Sequence, residues 1–482
     1  MTRLVLGPFN RVEGDLEVTL EVEGGAVRSA RVNAPMFRGF ECILAGKDPL
    51  DALVIVPRIC GICSVSQSSA CAQALAAAMG IEPPANGRLA AKLTLAAENL
   101  ADHFAHFYLF FMPDFARECY RDRPWFARAE ARFKAVTGSA AAEALPARME
   151  FLRLMGFLAG KWPHTLSIQP GGSSRPVQAA ECIRLFAVLR QFRGFLERRL
   201  FGAALEEVAA LESAQALAAW AEAAAAKASD FGMFLEIARD LELHRLGRAT
   251  DRFISYGAYP GADGKLFRAG VWDGSLHELD PAAIREDISH AWLSGPEPVS
   301  HPSAGVTVAD ADKAGGYTWC KAPRWNGRVM EAGAIARQMV NGHPLVRDLV
   351  AGSGGNVANR VIARLLELAL VLPEMERWVR ELRPGEPFCN HGVMPREAAA
   401  AGMVESARGA LGHWLEIAGG RIRNYQIVAP TTWNFSPRDR NGTPGALEQA
   451  LAGTPVAAGE AAPVAVQHVV RSFDPCMVCT VH

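Results

Sequence analysis

Apolar and polar residues alternate along Asp15-Leu16-Glu17-Val18-Thr19-Leu20-Glu21-Val22, the period of a half-buried strand. Gly24-Gly25 offers a turn, and Ala26-Val27-Arg28-Ser29-Ala30-Arg31-Val32 returns as a second strand. After this β region, residues 1 to about 35, the pattern becomes helical. Residues 86–112, 140–160 and 176–247 are rich in Ala, Leu, Glu and Arg, with apolar residues at helical spacing. Ser173, Ser174 and Pro176 offer a start for the third segment, and His244-Arg245-Leu246-Gly247 an end. Residues 250–330, with many Gly, Pro, Trp and Tyr, predict loops and short strands. Helices are expected again over about 328–383 and about 396–418, followed by an extended run from Arg423 to Val428. Val464 to Val470 reads as a strand leading to the last cysteines.

The expected fold class is therefore α+β and predominantly helical. A long-helix bundle core, about 50–250 and 328–420, carries an N-terminal β-hairpin region, small peripheral strands and a C-terminal segment, 464–482. Length alone suggests about three domains. No repeat, long linker or clean boundary divides the chain, so a single domain over 1–482 is expected.

Composition narrows the function classes. Fifty Lys+Arg against 51 Asp+Glu leave a net charge of -1, which argues against nucleic acid or acidic lipid as the main partner. Half the residues are hydrophobic and 21% are charged, enough to bury a large core. The uncharged stretch from Ile59 through Met79 to Ile81 is too rich in Ser, Gln, Ala and Gly for a membrane span. It predicts a helix packed on all sides by protein. MTRLVLGPFN reaches Pro8 and Asn10 before any long apolar run, so a soluble, cytoplasmic protein is expected. Cys42, Cys71, Cys119, Cys182, Cys320 and Cys389 are scattered, as reduced and mostly buried thiols would be.

The other four cysteines form two pairs, Cys60-Gly61-Ile62-Cys63 and Cys476-Met477-Val478-Cys479. CxxC spacing lets two thiolates converge on one ion, and two pairs supply four soft ligands for zinc, iron-sulfur or nickel. Spacing alone leaves a structural zinc site open; a thioredoxin-like pair fits less well, because neither CxxC follows a strand in a βαβ pattern. Structural zinc pairs usually lie a few tens of residues apart, whereas about 400 residues separate these. That separation favours a catalytic metal buried where the chain ends meet.

The flanking residues carry a resemblance. Arg58-Ile59-Cys60-Gly61-Ile62-Cys63 and Asp474-Pro475-Cys476-Met477-Val478-Cys479-Thr480-Val481-His482 resemble the signature segments of nickel-iron hydrogenase large subunits. So do Arg11-Val12-Glu13-Gly14, Phe37-Arg38-Gly39-Phe40-Glu41, Lys321-Ala322-Pro323-Arg324, Arg408-Gly409-Ala410-Leu411-Gly412-His413-Trp414 and Pro430-Thr431-Thr432-Trp433-Asn434, in family order. The resemblance implies that fold and heterolytic cleavage of H2. It implies nickel on all four cysteines, with Cys63 and Cys479 bridging to an iron that carries carbonyl and cyanide. Cys476 or a nearby base would take the proton, and Glu13 would pass it on. Arg408 would stand over the metals, paired with Asp102 and Asp474, while Thr431 and Thr432 would join it around the cyanides. Glu41, His482 and the main chain at Ile427 resemble a magnesium site, although His suits so hard a cation less well. Gln67 and His103 would surround the centre.

Several positions depart from the family pattern. Gln67 and Asp15 replace usual histidines, and Ala407 replaces the proline before Arg408. Ile62 and Phe110 stand where ordinary members carry smaller Val and Leu along the gas channel, which should impede O2 and CO more than H2. Taken singly, either residue reads as ordinary core packing; together they match the H2-sensing, regulatory subgroup. Ordinary members carry an extension that is cut after the residue matching His482; here it was either removed or never encoded. No further cysteine cluster suits iron-sulfur centres, so the expected partner is an iron-sulfur small subunit, in a heterodimer that signals through a histidine kinase. Two other readings stand beside the sensor: an ordinary uptake hydrogenase, and a non-catalytic protein whose cysteines hold structural zinc.

Overall fold

The computed structural model describes residues 2–261 and 264–482. Three antiparallel strands open the chain, β1 (Thr2–Leu6), β2 (Glu17–Glu23) and β3 (Ala26–Asn33), in the order β1-β2-β3. The alternation in β2 is realised, since Val18, Leu20 and Val22 are buried and the residues between them are partly exposed. Strand β1 has no such alternation; it lies within the expected β region of residues 1 to about 35, but the pattern does not mark it as a strand of its own.

Helices then build the core. α1 (Ser64–Met79) begins directly after Cys63, and its serines and alanines are buried almost throughout, as its lack of charge predicts. α2 (Ala85–Ala105) continues into a π-helical turn, His106–Phe111. α3 (Ser139–Ala159) and α4 (Ala179–Phe195) match two further periodic segments, and the rest of the stretch to Asp240 breaks into shorter helices. Glu181 accepts the Gln178 N–H at 2.9 Å and so caps α4. α5 (Ala334–Asn341), a helix at Pro344–Ser353 and the 25-residue α6 (Val357–Glu381) complete the helical core. Between them, the described residues of 250–330 form short strands and loops, as their composition predicts. No helix among the described residues is long and apolar enough to cross a membrane.

Two expectations are corrected. The segment 396–418 is not a helix. It forms a hairpin, β4 (Ala398–Ser406) and β5 (Gly409–Ala418), and β6 (Arg421–Val428) adds a third antiparallel strand in the order β4-β5-β6. Its alanines favour helix in isolation. Here they let α1 lie directly on the strand: a Cβ on Gly402 would stand 2.0 Å from the Ala70 carbonyl oxygen. Val464 to Val470 likewise lies in a helix, α8 (Val464–Ser472), after a short α7 (Pro430–Asn434). Val466, Val469 and Val470 are fully buried at helical spacing, so docking overrides their β propensity. α9 (Met477–Thr480) closes the chain inside the second CxxC.

Candidate metal centre

Both cysteine pairs sit at the start of a helix, where the backbone turns sharply. Cys60 follows a 3₁₀ turn, Val56–Ile59, and Cys63 caps α1; Cys476 caps α9. The four Sγ atoms lie within 4.8 Å of one another, and all four residues are buried. Cys60 and Cys476 are 3.5 Å apart, Cys63 and Cys479 2.8 Å, and Cys476 and Cys479 3.2 Å. All are free thiols. Hydrogen bonds from the other three hold Cys60 well below its ordinary value, whereas burial pushes Cys476 and Cys479 up and hydrogen bonding raises Cys63. Four thiolates so close in a dry interior would repel one another, and a bound cation would let them coexist.

Three other segments hold the two pairs together. Glu13 forms a β-bridge with Cys476; its carbonyl accepts the Met477 N–H at 2.7 Å, and its N–H donates to Pro475 at 3.3 Å. Arg38 donates to the Ile59 carbonyl at 2.5 Å and to the Val478 carbonyl. Each carbonyl immediately precedes a cysteine, so one guanidinium spans both loops. Glu98, buried on α2, accepts N–H bonds from Val65 at 2.8 Å and Ser66 at 2.9 Å and anchors the first turn of α1.

Arg408 lies within the segment 396–418 expected to be helical. It stands instead in the two-residue turn between β4 and β5, buried, with its fork shared by two acids. Its Nη1 and Nη2 lie 2.9 and 3.1 Å from the Asp102 carboxylate, Nη2 reaches Asp474 at 3.1 Å, and Nε donates to the Asp474 carbonyl at 2.8 Å. Although burial opposes its charge, Arg408 holds Asp474 below the usual carboxylate value, while burial raises Asp102. Burial also raises half-buried Glu13, with Cys60 adding to the effect. Thr431 Oγ1 accepts the Cys476 N–H at 3.2 Å, while Thr432 Oγ1 is buried without a partner.

A model of the nickel-dependent hydrogenase family matches residues 38–118 and 115–482. The chain belongs to that family. The periplasmic [NiFeSe] hydrogenase large subunit of Desulfomicrobium baculatum is 29% identical, with 100% of this chain and 95% of that protein covered. The uptake hydrogenase large subunit of Rubrivivax gelatinosus is 25% identical over the same shares. Among solved structures, the Ni-Fe-Se hydrogenase from D. vulgaris Hildenborough superposes with TM-score 0.84 at 30% identity, with both chains fully covered. The Dm. baculatum [NiFeSe]-hydrogenase gives 0.87 at 28%, again over both whole chains. The α+β hydrogenase large-subunit fold is therefore the fold of this chain. These relatives are named as [NiFeSe] and uptake hydrogenases, and none of them as a sensor.

The remaining expected residues of this hydrogenase chain lie in three places. Gln67 donates to Cys479 Sγ at 3.8 Å and accepts from His413 Nε2 at 2.8 Å; His413 in turn accepts the Tyr425 hydroxyl proton at 2.7 Å. Burial pushes His413 down to about 3, so it is neutral, as that donor–acceptor pattern requires. His103 bonds Glu367 at 3.3 Å. Ile62 is half-buried, with its N–H 3.3 Å from Cys60 Sγ, and Phe110 is half-buried in the π-helical turn, where its carbonyl accepts from Arg11.

Glu41 and His482 do meet, at 3.1 Å, beside a cavity of about 10 Å³. Lys321 stands at the same place, 2.9 Å from Glu41 and 2.7 Å from Gln426, and Ile427 offers Glu41 its N–H, not its carbonyl. Burial would raise Glu41, yet Lys321 and His482 hold it far below the carboxylate range. As arranged, the donor set fits an internal ammonium–carboxylate pair, and a divalent ion would have to share the space with Lys321. Arg38, Glu98 and His413 are site residues that the sequence reading did not assign. Arg38 and His413 lie inside motif blocks, whereas Glu98 carried no signal.

Proposed function

We propose that this chain holds a nickel-iron centre on Cys60, Cys63, Cys476 and Cys479, with Cys63 and Cys479 shared with iron, and cleaves H2 into protons and electrons. The observation that carries this reading is the buried Arg408, fixed between Asp102 and Asp474 beside four converging thiols. Bound there, nickel and an iron with carbonyl and cyanide ligands supply the Lewis acidity and redox chemistry at which H2 splits. The chain supplies the rest. Arg408 places a permanent positive charge at the site, where low dielectric makes it effective. Cys476 Sγ is the thiolate proposed to receive the proton, and the Glu13 carboxyl is proposed to carry it outward, its raised affinity suiting a relay. Thr432 Oγ1, buried without a partner, is a free donor for a cyanide nitrogen, and Thr431 steadies the Cys476 amide. No step needs an ion at Glu41 and His482. The relatives are named as large subunits, and the four cysteines are the one metal-ligand cluster found among the described residues. An iron-sulfur small subunit is accordingly proposed to take the electrons.

For the physiological role we propose low-turnover H2 sensing in the cytoplasm, signalled to a histidine kinase. The support is the added bulk of Ile62 and Phe110 and the loss of imidazole at Gln67. An uptake role is the competing reading, favoured by the names of the relatives. Dye reduction by the purified heterodimer under H2, before and after air, separates the two: slow turnover that survives air is expected, and fast turnover that air abolishes identifies an uptake enzyme. Ile62→Val with Phe110→Leu should then make the protein O2-sensitive. Metal analysis tests the centre itself, because equimolar nickel and iron are expected and zinc alone overturns the proposal.

A further inference from the structure

Arg337, on α5, is fully buried, and no step above uses it. A guanidinium has five N–H donors, and here five acceptors receive them. Nε donates to one Glu367 oxygen at 3.0 Å, and Nη2 to the other at 2.8 Å. Nη1 donates to Glu405 at 2.8 Å. The last two donors reach main-chain carbonyls, Ser406 at 2.7 Å and Ala407 at 3.0 Å.

Those carbonyls belong to the two residues immediately before Arg408. The carbonyl before them, Glu405, accepts from Asn99 at 3.1 Å, so the backbone is held at three consecutive positions. Gly409, just after Arg408, lies against the start of α5: its φ is +124°, and a Cβ there would stand 2.5 Å from the Gly333 nitrogen. The same cluster reaches the partner of Arg408. Glu367 bonds His103 at 3.3 Å, and His103 is the neighbour of Asp102 on α2.

We infer that Arg337 is a positioning residue for Arg408: it fixes the strand end that carries Arg408 and, through Glu367 and His103, the helix turn that carries Asp102. The two donors that the acids leave free are met by the carbonyls of Ser406 and Ala407, so the guanidinium ties the Arg408 strand end to α5 and α6. The side chain of Arg408 reaches its acids from a two-residue turn, and Arg337 holds the two carbonyls that lead into it, so a slackened turn moves the guanidinium.

Arg337→Lys, made in the full heterodimer, tests this. An ammonium has three donors and cannot hold two carbonyls and two carboxylates together. A crystal structure of the variant should show the Arg408 guanidinium displaced by more than about 0.5 Å, the tolerance of a working constellation. H2 oxidation per bound nickel should fall about 10- to 100-fold in kcat, with KM for H2 within about twofold. Arg193→Lys is the control for simple loss of a buried ion pair, since Arg193 is buried and bonds Glu376 at 3.0 and 3.1 Å. It should lower the melting temperature and leave kcat within about twofold. An Arg408 that stays in place in Arg337→Lys, unchanged kcat per nickel, or an equal loss in Arg193→Lys overturns the proposal. Should Arg337→Lys fail to assemble, Glu367→Gln keeps Arg337 but weakens its anchor; a smaller displacement of Arg408 is expected, and none overturns it. The turnover arm rests on the H2-cleaving function; if the unaltered heterodimer shows no turnover, that function fails and the position of Arg408 still decides.

Discussion

Arg408 and its two acids form a unit in which geometry matters more than charge. Lysine would keep the positive charge but not the fork that meets Asp102 twice and Asp474 twice. Arg408→Lys should therefore lower H2 turnover about 100-fold while nickel and iron content stay full, measured by dye reduction alongside metal analysis. Equal loss of metal and activity would reassign Arg408 to assembly. Glu286 offers a test of a different kind. It is buried, with one oxygen unpartnered, and burial raises its pKa to about 7 despite Lys321 at 3.7 Å. A carboxyl raised on folding adds stability that is complete below its unfolded value near 4.5 and lost as pH climbs through 7. Glu286→Gln removes that dependence. The melting temperature of the variant should accordingly rise relative to the unaltered protein between pH 5 and pH 8, and a constant difference would count against a protonated Glu286.

Among elements, the contact between α1 and β4 determines where Cys63 stands, because α1 begins at that cysteine. It depends on having no side chain at Gly402. Gly402→Val should push α1 off the sheet and cost about 1–3 kcal/mol, read as a fall in melting temperature. Nickel retention should fall with it; a stable variant with full nickel would mean that the helix does not set the ligand. The same contact explains where reading the sequence stops. The hairpin of β2 and β3 shows in alternation, and α2, α3 and α6 show in helical spacing, because each has one face toward the core and one toward solvent or a neighbouring helix. Strand β4 is covered by a helix on one side and opens with four alanines, so no period marks it. Helix α8 reads as strand because its valines carry β propensity, and only the docked position reveals otherwise. Local motif is also why the site was partly legible. The cysteines announce themselves by spacing, and Arg408 by its block. Glu98 and Arg337 are single residues whose partners lie far away in sequence, and nothing near them in the chain says so.

At the scale of the whole molecule, one hydrophobic core includes residues from Leu6 to Val481 and encloses the thiols. A metal held by both ends of the chain binds the folded state alone, and such a ligand at a thousandfold excess over its Kd adds about 4 kcal/mol of stability. Protein prepared without nickel should therefore melt lower, and limited proteolysis should remove the Cys476–His482 segment first, whereas the loaded heterodimer should resist. Identical digestion patterns would show that the segment docks without metal.

The placement of the ligands also has a consequence in time. Cys60 and Cys63 emerge early during synthesis, with α1 and α2 following close behind, whereas Cys476 and Cys479 are made about 400 residues later. Since Glu13 and Arg38 hold the C-terminal loop directly, the first half of the cradle can be shaped long before its other half exists. An ion delivered to the growing chain would find two thiols and an open side. The site can close only once the second cysteine pair has been made, so the helical turn at Met477–Thr480 acts as the door that shuts behind the metal.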